Sequence, residues 1–241
     1  MESKPMTRRS ENPLIIGVRS VVFHVVSAVV TLVFLLFLPF LLAPKRYSWT
    51  ILGAFVYTQI WLLKVICGQR FEVKGVGDLP PGPVIFAVRH EALWETLILP
   101  YVLNDPIVFL KDDIMRYPVA GWIAKKFEYI GLDRSGAVDK AREAFATARM
   151  HANQGRSFMI FPSGTRDPKR RHNVETGVAV LYRAIGTPVV PVVLDSGSFW
   201  PYKSWLRKPG TITVRVLPTI DPGLKTSVFL DRLKGDIAQA A

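Results

Sequence analysis

The sequence predicts an α/β fold: a mixed sheet flanked by helices, preceded by an N-terminal membrane-associated two-helix hairpin. Three observations carry this expectation. From residue 67 onward, short β-branched and aromatic runs alternate with amphipathic stretches. Residues 20–44 contain no Asp, Glu, Lys or Arg. Of the 241 residues, 49% are hydrophobic, more than a soluble α/β domain of this length requires.

The apolar excess lies in residues 1–66, read as an anchor, with 67–241 as the folded domain that follows. A helix over 20–44, rising about 1.5 Å per residue, exceeds the roughly 30 Å hydrocarbon core of a bilayer, so it spans or at least embeds. A cleaved signal peptide competes with this reading. The run is longer than the usual apolar region of such a peptide, however, and Ala43-Pro44-Lys45-Arg46 makes a poor cleavage site. A second apolar segment, 48–63, carries Trp49, Tyr57 and Trp61. It is short for a full span and suits a helix lying at the interface with its aromatics at headgroup level.

Charge narrows the partners. The net charge of +12, with a pI near 10.0 and a mean hydropathy of +0.23, attracts either nucleic acid or an anionic membrane. With an apolar anchor in the same chain and no zinc-finger or RNA-binding signature, the expectation is membrane lipid and no nucleic acid. Basic residues flank both apolar segments (Arg19, then Lys45 and Arg46, then Lys64 and Arg70), so they do not orient the anchor. Cys67 is the only cysteine, which excludes an intrachain disulfide and fits a reducing compartment.

Strands are expected at 71–74, 84–88, 107–110, 129–132, 158–161, 189–194 and 211–217, and helices at 91–103, 113–127, 138–152, 174–184 and 227–240. Where the second strand gives way to a helix stands Arg89-His90-Glu91-Ala92-Leu93-Trp94-Glu95. Glu95, just over one helical turn beyond His90, can reach back to Nδ1, fix the tautomer and leave Nε2 free to accept a proton. A surface histidine near an unrelated glutamate is the competing reading of this pair.

A second cluster, Phe161-Pro162-Ser163-Gly164-Thr165-Arg166, follows the 158–161 strand. Gly164 lets backbone N–H groups approach an anion, and the Arg166 fork suits phosphate or carboxylate oxygens. Ser163 lacks the Gly-x-Ser-x-Gly elbow of a nucleophile. Gly131-Leu132-Asp133-Arg134 and Lys111 mark two further strand ends. No further acid or histidine cluster completes a metal site around His90, Glu91 and Glu95, and Gly75-Val76-Gly77 is no dinucleotide fingerprint, so neither metal nor cofactor is expected.

In this order, the His-x4-acid motif, the Asp-Arg strand end, Phe-Pro-x-Gly-Thr-Arg and Val189-Val190-Pro191-Val192-Val193 resemble the four blocks of the glycerolipid acyltransferases. The chain is most similar to the bacterial lysophosphatidic acid acyltransferases of phospholipid biosynthesis, over about residues 65–224. The resemblance implies a membrane-bound enzyme that moves a fatty acyl group from acyl-CoA or acyl carrier protein to a lyso-lipid hydroxyl, giving phosphatidic acid from lysophosphatidic acid. His90 with Glu95 would be the base dyad, and Lys111, Arg134, Ser163, Gly164, Thr165 and Arg166 would bind substrate. It further implies a bacterial inner membrane with the catalytic domain on the cytoplasmic side. Two positions depart from the family pattern, which usually has aspartate at Glu95 and glutamate at Ser163. The second departure leaves open another lyso-lipid, such as a lyso-aminolipid, or a lipid-binding homologue with weakened catalysis.

Overall fold

The computed structural model describes residues 12–132 and 138–239. Helix α1 (Pro13–Leu36) begins seven residues before the expected start because Asn12 and Pro13 form a start signal: the Asn12 side chain accepts the N–H of Leu14 at 3.0 Å, and proline is tolerated in the first turn. It ends at Phe37, and a short 3₁₀ turn (Leu38–Leu42) leads into α2 (Lys45–Cys67). At 23 residues α2 is longer than the expected 48–63 segment, and by length and composition it is long and apolar enough to cross a membrane, as is α1. The cations at its ends do not stop it, since long basic side chains are good helix formers that reach outward from an apolar helix. What stops it is Gly68, left-handed at φ 66°, which receives the chain into the first strand.

The two helices pack through Phe34 stacked on Phe55 at 4.5 Å, and Ser27 donates to Gln59 Oε1 at 2.8 Å. The hairpin lies along the body of the protein and is tied to it at both ends. At the tip, Lys45 pairs with Asp105 and Glu128 at 3.2 and 3.0 Å, and Trp49 stacks on Tyr101 with centroids 4.2 Å apart. At the root, Arg207 N–H donates to Ser20 Oγ at 2.9 Å, and an imidazole nitrogen of His24 meets the Trp205 carbonyl at 2.7 Å. Along α1, Leu14, Val18, Val21, Val25, Val29, Leu32 and Leu36 recur every three or four residues, and each is more than half exposed. This apolar stripe faces away from the protein, as a lipid-facing surface does.

All seven expected strands form: β1 (Gln69–Lys74), β2 (Ile85–Val88), β3 (Ile107–Lys111), β4 (Ile130–Leu132), β5 (Phe158–Ile160), β6 (Val189–Leu194) and β7 (Gly210–Val216). They make one sheet in the order β1-β7-β6-β2-β5-β3-β4, parallel throughout except where β6 meets β7. β2 is buried along its whole length, which is why it reads as an unbroken apolar run. Its residues alternate between two cores. Phe86 and Val88 join Leu63, Trp94 and Leu99 on the hairpin face, while Ile85 and Ala87 join Val178, Tyr182 and Phe229 on the other.

The remaining helices are α3 (Trp94–Val102), α4 (Ala120–Lys126), α5 (Val138–Asn153), α6 (Gly177–Ile185), the four-residue α7 (Ser196–Phe199) and α8 (Thr226–Gln239). Two departures from expectation have local causes. The 113–127 helix is split into a 3₁₀ turn (Asp112–Arg116) and α4, because Pro118 supplies no N–H and Val119 takes φ 63°. The 91–103 helix opens only at Trp94, leaving residues 91–93 as a turn. Because β2, β3, β5 and β6 run the same way, their carboxyl ends share one edge of the sheet, where ligands bind in open α/β folds.

The two kinds of tip contact differ in weight. Lys45 is about a third exposed and screened by solvent, so Lys45→Met should cost under about 1 kcal/mol. Tyr101→Ala, which empties the space beside Trp49 and Gly53, should cost about 3 kcal/mol and open the residue 43–47 segment to limited proteolysis.

Candidate active site

His90 stands just past β2, and its ring is stacked on Phe161, just past β5, with centroids 4.0 Å apart. Its Nδ1 lies 3.0 Å from Oε1 of Glu95, a carboxylate with no exposed surface. A buried carboxylate must be surrounded by donors, and Glu95 is. The same Oε1 accepts the backbone N–H of Glu91 and that of Ala92, the latter at 2.6 Å, while Oε2 accepts the Ser196 hydroxyl at 2.9 Å. The three-residue turn before α3 has a purpose: its unpaired N–H groups point back at the first-turn glutamate. With Nδ1 engaged, Nε2 is the ring nitrogen left for the cleft that His90 lines.

That cleft has a volume of about 1180 Å³, enough for a ligand of lipid size. Apolar side chains (Leu93, Ile114, Leu132, Phe145, Val180) form much of its wall, and three cations, Lys111, Arg142 and Arg166, stand on it. Gly164 and Thr165 also line it, Gly164 at a left-handed φ of 55°. The loop carrying them is closed on itself by Glu175 N–H donating to the Pro162 carbonyl at 3.0 Å. Ser163 behaves differently from its neighbours. It is 3% exposed and does not line the cleft, because its hydroxyl donates to the Thr165 carbonyl at 2.9 Å and closes a turn. Arg134 lies outside the described residues.

Behind the histidine a second carboxylate, Glu91, is equally buried. Oε1 makes ion pairs with Arg89 at 2.7 Å and with Arg171 at 3.1 Å, and Oε2 accepts the N–H of Gly197 at 2.9 Å. The pairs are close, but the guanidinium N–H groups are poorly aligned for hydrogen bonding to Oε1. Burial pushes Glu91 above the ordinary value of 4.5; Arg89, Gly197 and Arg171 pull the other way without cancelling it, and Glu95 nearby adds to the rise. His172, beside Arg171, is lowered by burial and by Arg89 and Arg171, and its Nε2 accepts from Arg171 Nε at 3.4 Å.

Sequence reasoning missed Ser196, Gly197 and Arg142. A Ser-Gly pair at a strand end signals a turn, but nothing local says that it faces Glu91 and Glu95 about a hundred residues earlier. Arg142 reads as one more charge on an amphipathic helix.

Residues 70–195 match the family described as Acyltransferase, just over half of the chain. The chain belongs to the acyltransferase family. Among its relatives, the 1-acyl-sn-glycerol-3-phosphate acyltransferase of Pseudomonas aeruginosa is 30% identical over 162 residues, 67% of this chain and 63% of that protein. The lyso-ornithine lipid O-acyltransferase of the same organism is 29% identical over 109 residues, 45% of this chain and 41% of that one. The chain thus matches less than two thirds of either relative's length. Among solved structures, the 1-acyl-sn-glycerophosphate (LPA) acyltransferase of Thermotoga maritima superposes with a TM-score of 0.70 at 18% identity, covering 94% of this chain and 98% of that one. The superposition over 94% of this chain shows that the two proteins share a fold.

Glu91 titration has a measurable consequence for this acyltransferase-family protein. The folded state holds the Glu91 proton more tightly than the unfolded chain, so stability should fall as pH rises from 4.5 through the raised value and then level off. Thermal unfolding followed across that window should show the decline in the wild type and a shallower one in Glu91→Gln.

Proposed function

We propose that this chain transfers a fatty acyl group from a thioester donor, acyl-CoA or acyl carrier protein, to the free hydroxyl of lysophosphatidic acid, giving phosphatidic acid at a membrane surface. The observation that carries the reading is the His90 ring, bound at Nδ1 by a buried, donor-saturated glutamate and opening onto a cleft that is apolar along its wall and cationic at its rim. Nε2 takes the proton of the acceptor hydroxyl as its oxygen attacks the thioester carbonyl. The tetrahedral intermediate then collapses, the C–S bond breaks, and the departing thiolate recovers the proton from the His90 imidazolium. No acyl-enzyme and no cofactor is required.

Lys111 and Arg166, with Arg142, take the acceptor's phosphate oxygens, and Gly164 and Thr165 shape the backbone around them. Arg134, at the end of β4 in sequence, joins this set by its match to the family's second block. The exposed stripe on α1 enters the bilayer, and the hairpin, tied along the body of the protein, holds the cleft close to the lipid surface. In a bacterial cell this is the inner membrane, with residues 67–241 forming the catalytic domain on the cytoplasmic side, where thioester donors are made. A retained acyl-acceptor cleft with no turnover, the lipid-binding alternative, has no use for a carboxylate held by four donors.

Ser163 favours a second reading of the acceptor. Its hydroxyl is spent inside the loop, so no carboxylate stands where the family pattern has one, and one relative is named for a lyso-ornithine lipid. That chemistry is the same, with a zwitterionic lyso-aminolipid in place of lysophosphatidic acid.

Acyl transfer by the detergent-purified chain, with a thioester donor and a panel of lyso-lipids, tests both readings. His90→Ala should lower kcat by about 10² to 10⁴; equal turnover by the two proteins contradicts the base assignment. Arg166→Ala should raise KM for lysophosphatidic acid about tenfold, the equivalent of one charge-assisted hydrogen bond, and leave a phosphate-free acceptor unaffected. Turnover confined to a lyso-aminolipid transfers the assignment to the second acceptor.

A further inference from the structure

We infer that Ser196 is a positioning residue for the His90 base, acting through Glu95; the inference rests on the acyl-transfer reading and extends it. The physical problem is the far oxygen of Glu95. Oε1 meets His90 and two backbone N–H groups of its own turn, but Oε2 faces the end of β6, and Ser196 Oγ at 2.9 Å is the side-chain donor it finds there. Both residues have no exposed surface. Without the hydroxyl, one oxygen of a buried carboxylate has no partner, and the group can relieve that only by rotating away from the imidazole.

Ser196 is itself firmly placed. The preceding Asp195 accepts the backbone N–H of Thr213 through Oδ1 at 2.8 Å, which fastens the end of β6 to β7, and the Ser196 carbonyl accepts Trp200 N–H at 2.8 Å. The next residue repeats the grip: Gly197 N–H donates to Glu91 Oε2 at 2.9 Å. A Cβ at position 197 would lie 3.0 Å from that same oxygen and 3.0 Å from Arg171 Nη1, so a side chain here would press on the carboxylate and its partner. Two consecutive residues just past β6, the first two of α7, thus hold both Glu95 and Glu91. The base is held by the sheet's central strand on one side and by its neighbour on the other: Thr213 is hydrogen-bonded to Asp195, whose chain neighbour Ser196 is hydrogen-bonded to Glu95, and Glu95 to His90. The Ser196 hydroxyl touches neither substrate nor cleft, so its effect is on turnover and not on acceptor binding.

The test is steady-state acyl transfer by the full chain in detergent for Ser196→Ala, Glu95→Gln, the double variant and His90→Ala. Ser196→Ala should lower kcat ten- to a hundredfold with KM for the acceptor unchanged, and in the Glu95→Gln background it should cause no further loss, because the two act as a unit. Ser196→Cys, close in volume and a weak donor, should retain intermediate turnover and answers the question if the alanine variant does not fold. An active Ser196→Ala enzyme beside an inactive His90→Ala enzyme overturns the inference while leaving the base in place. Losses from Ser196→Ala and Glu95→Gln that multiply overturn it as well. A fully active His90→Ala enzyme overturns the base assignment and the inference with it.

Discussion

Glu95 is a carboxylate with no exposed surface, and that one fact constrains much of the structure around it. An ionised carboxylate taken out of water costs several kcal/mol unless donors replace its hydration. Four do: two N–H groups of residues 91 and 92, one imidazole nitrogen and one hydroxyl. To supply them, β2 has to stop at Val88, residues 91–93 have to remain outside α3, and β6 has to lie beside β2 and run two residues past it, to Leu194. The sheet order is therefore part of the site, since β5 on the other side of β2 brings Phe161 under the imidazole ring.

The same geometry separates two jobs. Below the histidine lie Arg89, Glu91 and Arg171, a buried ionic cluster that joins the turn to the loop after β5 and contributes rigidity, with burial opposing the charge on Glu91. Above it the cleft is open, and its cations Lys111, Arg142 and Arg166 are exposed, as the proposed phosphate contact requires. The hairpin adds a third task. Packed along the protein, it turns one apolar stripe outward, the surface that the proposed function sets against lipid.

Most of this fold was legible in the sequence, and the exceptions have physical causes. Period and composition located every strand because a central parallel strand such as β2 or β6 is buried on both faces and reads as a continuous apolar run. The His90–Glu95 spacing was legible because both residues belong to one local turn. Helix ends were less so: Lys45 and Lys64 looked like the limits of α2, yet only the left-handed Gly68 ends it. Contacts formed across the sheet left no local trace, and Ser196 shows why, since its partner is set by strand order alone. Ser163 marks the opposite limit. Its position in a loop motif suggested a place among the ligands, and the turn it closes uses its hydroxyl instead.

The claim at the centre of this account is that Glu95 sets the tautomer of His90. Nitrogen-15 NMR of the histidine-labelled protein, with the His90 signals assigned by their loss in His90→Ala, reads it directly at a pH where the ring is neutral. The account predicts a proton on Nδ1, donated to Glu95, and a bare Nε2 facing the cleft. A proton on Nε2 with a bare Nδ1 would contradict it, because such a ring has nothing to accept a hydroxyl proton with on the substrate side.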